Sequence, residues 1–163
     1  MTPHSFCSFC GHPYPPDAPW PRQCDTCGNI TYLNPIPVCV VILPSEAGVL
    51  AVRRSIHPGF GGLALPGGFI NAGETWQEAG AREVWEETGI PLAPETLEVL
   101  GIHSVNQGRQ MLIFCESAPV SADITNFFEK NDEVSELLWI VEPTELVFPM
   151  HTKVLNDWLT NHK

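Results

Sequence analysis

The sequence predicts an α/β domain with a mixed β-sheet in layers, preceded by a small N-terminal module held by cysteines. Three observations carry this. The texture of the chain changes near residue 35. Beyond it, short β-branched runs precede one well-marked helix, and further strands precede a closing helix. That order of elements is what a sheet covered by helices requires. The expected division is 1–35 for the module and 36–163 for the main domain.

The first 35 residues hold Pro3, Pro13, Pro15, Pro16, Pro19, Pro21 and Pro35 and four cysteines, with almost no apolar periodicity. Such a stretch cannot build its own core and needs a staple. Val38–Leu43 and Val49–Arg53 then read as strands, with Pro44–Gly48 as the hairpin loop between them. Thr75–Thr88 reads as a helix: Thr75 is the N-cap, Gly89-Ile90-Pro91 is the stop, and Trp76, Ala79, Ala81 and Val84 supply the buried side. Residues 96–107 and 109–116 read as paired strands, Leu137–Val141 as another, and Thr144–Val147 as a helical turn. Val154, Leu155, Trp158 and Leu159 after Pro149 give the spacing of a closing helix.

There are 19 acidic residues against 8 basic, a net charge of -11. Residues 1–67 are balanced, with Asp17, Asp25 and Glu46 against Arg22, Arg53 and Arg54, so the whole excess lies beyond Gly67. This argues against a nucleic-acid partner, which needs a basic face. No apolar run approaches the roughly 18–20 residues of a membrane span. No secretory pattern is visible. Cys39 and Cys115 sit in apolar runs and read as buried free thiols, so a cytoplasmic location is expected.

Cys7-x2-Cys10 and Cys24-x2-Cys27 form two tight-turn pairs. Together they offer four thiolates, a set suited to structural Zn²⁺; redox-active or disulfide-paired cysteines are the alternative. Gly11 and Gly28 follow the second cysteine of each pair, as in zinc knuckles. Arg22 is the module's one basic residue, too few for a nucleic-acid surface.

On the predicted helix Glu83, Glu86 and Glu87 stand at i, i+3 and i+4, so one face carries three carboxylates within about a turn. They repel one another, and no lysine interleaves them. Carboxylates gathered on one point are what Mg²⁺ or Mn²⁺ require. Arg82 can pin the start of the helix, and Gly67-Gly68 permits a tight loop whose carbonyl also faces a metal.

Gly68-x5-Glu74-x7-Arg82-Glu83-Val84-x-Glu86-Glu87-x-Gly89-Ile90 resembles the Nudix box at every fixed position. With the upstream cysteines, the chain resembles the zinc-ribbon Nudix pyrophosphatases, which include NADH and FAD pyrophosphatases, so a dinucleotide such as FAD or NADH, or an ADP-ribose-like compound, is the expected substrate. The resemblance implies a Nudix α/β/α sandwich and a hydrolase that cleaves the pyrophosphate of a nucleoside diphosphate linked to another moiety, releasing a mononucleotide. It implies Glu83, Glu86, Glu87 and the Gly67 carbonyl as Mg²⁺ or Mn²⁺ ligands, with Glu83 also a candidate base. Arg82 and Glu74 become an orienting pair. A further acid is expected from the 131–136 loop, with Glu133 chosen ahead of Glu136. The rival reading is a non-catalytic nucleotide-sensing module or regulator.

Substrate contacts are assigned to Arg53, Arg54 and Arg109, since a planar guanidinium suits phosphate; ordinary surface charge is the alternative. Phe60 is a stacking candidate, Phe69 is read as core, and Trp85 and Trp139 as structural. His103–Arg109 departs from the Ser-Gln-Pro-Trp-Pro-Phe-Pro stretch of NADH pyrophosphatases. The expected partner is a small nucleotide, and the resemblance is compatible with a homodimer.

Overall fold

A computed structural model describes residues 3–162. The chain divides into two compact units, Met1–Pro35 and Ile36–Lys163. In the first, β1 (Arg22–Gln23) pairs antiparallel with β2 (Ile30–Thr31). Its buried side chains are Cys7, Tyr14 and Cys24. The Tyr14 hydroxyl meets Thr31 Oγ1 at 2.8 Å. Gly11 and Gly28 donate their N–H groups to the Cys7 and Cys24 carbonyls at 2.9 and 2.8 Å, closing the two turns. Other N–H groups of the turns point at the sulfurs: Phe9 N–H lies 3.5 Å from Cys7 Sγ, and those of Cys10, His12 and Asn29 bond to Cys7, Cys10 and Cys27.

The second unit contains β3 (Ile36–Ile42), β4 (Pro44–Ser45), β5 (Gly48–Arg54), β6 (Leu63–Ala64), β7 (Gly67–Phe69), α1 (Trp76–Thr88), β8 (Glu98–Val105), β9 (Gln110–Glu116), β10 (Val134–Ile140) and α2 (Pro149–Asn161). One sheet runs β7-β3-β9-β8, and it is mixed: β3 and β9 are parallel, the other pairs antiparallel. The other runs β10-β5-β4, with β6 also on β5. The predicted hairpin is therefore smaller than expected. Pro44–Ser45 pairs with Gly48–Val49, but β3 and the body of β5 lie in different sheets. Pro44 supplies no N–H, which suits the point where the chain changes sheets.

The pleat of β3 feeds two cores. Val40 and Ile42 join Phe114, Leu155 and Leu159, on the α2 side. Cys39, Val41 and Leu43 join Ala79 and Val84, on the α1 side. Helices thus cover opposite faces, giving the expected α/β/α arrangement. Thr75 caps α1 through a full capping box with Glu78, and Gly89 ends it in the left-handed region at φ 74°, donating to the Trp85 carbonyl at 2.8 Å. Residues 144–147 are not helical; there the Thr144 and Leu146 N–H groups bond to Asn156 and Thr152 of α2 instead of to a local turn. Phe69 and Trp85 are not core residues, being 54% and 60% exposed. Phe69 stands on the short edge strand β7, and Trp85 falls on the solvent side of α1. Trp139 does pack against the α1-side core.

Candidate active site and metal centres

The box folds as loop, helix and supporting loop. Gly67 adopts φ 148°, and a Cβ there would stand 2.2 Å from the Cys39 carbonyl oxygen, so only glycine allows β7 to lie against β3 at this point. Gly67 N–H donates to Glu87 Oε2 at 3.0 Å. The Pro66 carbonyl accepts from Val41 N–H at 2.9 Å, and Leu65 N–H donates to His151 Nδ1 at 3.3 Å. Residues 65–67 are thereby tied to β3, α1 and α2 together. His151 is buried among Phe114 and Phe148, and burial holds its pKa at about 4, so the ring is a neutral acceptor.

Arg82 is the hub of the helix face. Its Nε and Nη2 form a two-pronged pair with Glu74 at 3.1 and 2.7 Å, and Nη2 also reaches the Phe69 carbonyl at 2.9 Å. Nη1 bonds Glu83 Oε1 at 2.7 Å and Glu86 Oε2 at 2.9 Å. The planar fork fits this divided duty as a lysine ammonium could not. Hydrogen bonding to Arg82 holds the Glu74 carboxyl down at about 2. Arg82 pairs with Glu74, whereas Glu78 turns to its capping role.

Glu83 and Glu87 are both raised by burial. Desolvation raises the Glu83 carboxyl above its usual range against the pull of Arg82. Glu87 is only 4% exposed. Burial pushes it up to about 8, opposed by the Gly67 N–H and raised further by the Glu83 and Glu133 charges. Among the described residues no lysine or arginine forms an ion pair with Glu87. A carboxylate buried without a cationic partner fits a donor set for a divalent cation. Glu83 lies directly over Gly68, where a Cβ would stand 2.4 Å from its carboxyl carbon.

The 131–136 loop reaches this face. Asn131 Nδ2 donates to the Glu86 and Glu87 carbonyls at 3.1 and 3.3 Å. Its Oδ1 accepts from Glu133 and Val134 N–H at 3.0 and 2.8 Å. Glu133 is thus brought to the helix, whereas Glu136 is taken up by Arg53 at 2.7 Å. Of the three arginines assigned to substrate, Arg53 is occupied by Glu136 and the Gly61 carbonyl. Arg54 bonds the Pro58 carbonyl at 2.8 Å, lies 5.3 Å from the Phe148 ring centroid, and is near enough for its charge to act on Glu87. Arg109 is exposed directly after the Asn106–Gly108 turn. Asn131 and His151 went unread in the sequence. A polar residue opening an acidic loop was the one local hint of the first, and nothing local marks the second.

The four module cysteines form the one group of three or more metal-capable side chains lying within 4.8 Å of one another among the described residues. Cys7 and Cys27 sulfurs are 3.7 Å apart, Cys10 and Cys24 sulfurs 3.6 Å. A tetrahedral zinc with bonds of about 2.3 Å places its sulfurs about 3.8 Å apart, so these residues fit Zn²⁺.

The NUDIX domain family model matches residues 33–160. The chain belongs to the NUDIX family. The chain is 38% identical over 88 residues to the NAD-capped RNA hydrolase NudC of Salmonella typhi, and 36% identical over 88 residues to that of Citrobacter koseri. Each match covers 53% of this chain but only 34% of the relative, so the aligned stretch spans about a third of those proteins. Among solved structures, the NUDIX hydrolase of Nitrosomonas europaea superposes with a TM-score of 0.72 at 25% identity, covering 97% of this chain and 92% of that one. The MutT protein of Methanosarcina mazei Go1 gives 0.63 at 25% identity, covering 82% and 100%. The Nudix resemblance read from Gly68–Ile90, the α/β fold class and the assignment to a hydrolase family are borne out together. No helix among the described residues is long and apolar enough to cross a membrane.

Proposed function

We propose that this Nudix domain is a Mg²⁺- or Mn²⁺-dependent pyrophosphohydrolase that cleaves a nucleoside diphosphate linked to a second moiety, with a dinucleotide of the NAD or FAD type as substrate and a mononucleotide as product. The observation that carries this is Glu87: a carboxylate buried without a cationic partner, beside Glu83 and across from Gly67. Glu83, Glu86, Glu87 and the Gly67 carbonyl would hold the divalent cations. Bound there, they supply charge neutralisation at the pyrophosphate and acidify water. Glu83, its carboxyl raised by burial, takes the proton of the attacking water as the water oxygen bonds to phosphorus and the bridging P–O bond breaks. Arg82 fixes Glu83 and Glu86 while Glu74 fixes Arg82. Glu133 closes the acidic face, and Arg54 is the arginine best placed for a phosphate.

The NudC relatives support an NAD-type pyrophosphate as the scissile group. The eight basic residues against 19 acidic favour the free dinucleotide over a capped RNA. The cysteine module would carry structural Zn²⁺. Cys39 and Cys115, unbonded at 3.6 Å between sulfurs, are consistent with a reducing cytoplasm.

The test is a panel of FAD, NADH, NAD⁺, ADP-ribose, nucleotide sugars and NAD-capped RNA with Mg²⁺ or Mn²⁺, scoring mononucleotide release by the wild type and Glu86→Gln. Hydrolysis of FAD or an NAD-type dinucleotide, lost in Glu86→Gln, is expected. Turnover that survives that substitution undiminished would overturn the mechanism, and binding without any turnover would favour a nucleotide sensor.

A further inference from the structure

Asn131 has every polar atom of its side chain engaged, and all of its partners belong to the site or to the strand leaving it. Nδ2 reaches the carbonyls of Glu86 and Glu87 in the last turn of α1. Helix C-termini leave their last four carbonyls without intrahelical partners, and a single amide here serves two of them. Oδ1 accepts from the N–H groups of Glu133 and Val134. The backbone of Asn131 adds a bond to the Val134 carbonyl at 3.0 Å, and Ser55 N–H holds the Glu133 carbonyl at 2.7 Å. Glu133 is therefore gripped at its N–H from the helix side and at its carbonyl from the end of β5.

We propose that Asn131 is a positioning residue that locks the 131–134 loop to the C-terminal turn of α1 and so sets where the Glu133 carboxylate stands relative to Glu86 and Glu87. The proposal rests on reading those glutamates as divalent-cation ligands. An amide suits this task for a definite reason. Only Asn or Gln offers donors for the two helix carbonyls and an acceptor for the loop N–H groups at once, and the shorter Asn keeps the loop turn tight.

The geometry separates the tether from the turn. Asn131→Asp keeps an acceptor for Glu133 and Val134 N–H but loses the donor to the helix carbonyls. Asn131→Ser keeps an acceptor for the loop N–H groups and adds no charge, but its single, shorter O–H donor cannot serve both helix carbonyls as the amide does. Both are made in the full chain. Steady-state kinetics with Mg²⁺ and Mn²⁺ binding followed by electron paramagnetic resonance of free Mn²⁺ are the two readouts. Displaced outer partners of metal ligands typically cost 10–100-fold in affinity or activity. We expect kcat to fall in that range with KM changed less than about threefold, and Mn²⁺ affinity to weaken roughly tenfold. Asn131→Ser is then repeated in a Glu133→Gln background. If Asn131 acts through Glu133, the second substitution adds little to the first. Full additivity, or wild-type kcat and Mn²⁺ affinity in both single variants, overturns the proposal. So does a loss that follows the melting temperature while Mn²⁺ affinity is unchanged. An inactive wild type that binds Mn²⁺ would instead defeat the proposed activity, leaving the Mn²⁺ comparison to decide the role of Asn131.

Discussion

Replacing Glu87 by glutamine removes a buried titrating carboxyl while keeping an oxygen to accept the Gly67 N–H bond. The carboxyl has an ordinary value of 4.5 and is pushed up to about 8 by burial. A raised acid pKa means that the folded state holds the proton more tightly than the unfolded one. Its contribution to stability is complete below about pH 4.5 and is lost as pH climbs toward 8. At pH 7 that loss is roughly 3 kcal/mol, from about 2.5 pH units at 1.36 kcal/mol each. At pH 5 it is under about 1 kcal/mol. Glutamine cannot titrate, so Glu87→Gln should melt higher than the wild type at pH 7 in Mg²⁺-free buffer. At about 2–4 °C per kcal/mol for a chain of this size, the gain is roughly 6–12 °C, shrinking to about 1–3 °C at pH 5. Added Mg²⁺ should raise the wild-type melting temperature and close the gap, because a ligand bound only by the folded state stabilises it. The variant should respond little and should lose turnover. Calorimetry at pH 5, 7 and 8, with and without Mg²⁺, reads all of this. Coincident melting curves at every pH would refute the reading of Glu87 as an unbalanced buried carboxylate.

Two further outcomes follow from local geometry. Gly68→Ala sets a Cβ 2.4 Å from the Glu83 carboxyl carbon, so Glu83 must swing away from Arg82. Turnover should fall about 100-fold, the scale of a 1 Å misplacement, with under about 2 kcal/mol lost in a chemical melt; wild-type turnover would contradict the Glu83 assignment. The purified protein should carry about one zinc per chain. Cys24→Ser should lose it and the amide-exchange protection of residues 3–35 while leaving that of 36–162 in place; a zinc-free protein with those amides protected would refute the site.

Where local chemistry decides structure, the residues spoke for themselves. Thr75 with Glu78 and Gly89 mark the ends of α1 because capping is a short-range bargain between side chain and backbone. The Nudix box and the cysteine pairs are likewise local. What escaped the sequence depends on distant neighbours. Val38–Leu43 and Val49–Arg53 read as two strands of one hairpin, yet they entered different sheets because β9, about seventy residues on, pairs with β3 along its whole length. Arg53 looked as free as Arg54 until β10 set Glu136 opposite it. Phe69 alternates as a core residue would, but no element covers it. Asn131 and His151 gain their partners 44–86 positions away, beyond any periodicity.

The central place of β3 bears on how this protein can vary. Both neighbours of the strand are paired, and its odd and even side chains serve separate cores. Exchanging one aliphatic for another there alters a single core. Adding or deleting one residue within 38–43 would invert every later side chain, send Cys39 and Val41 toward α2 and Val40 toward α1, and carry the Cys39 carbonyl away from Gly67. Descendants of this gene should therefore show spelling changes in that stretch and almost no change in its length. Insertions should gather at exposed positions such as 129–130, where the chain can lengthen before the tether at Asn131.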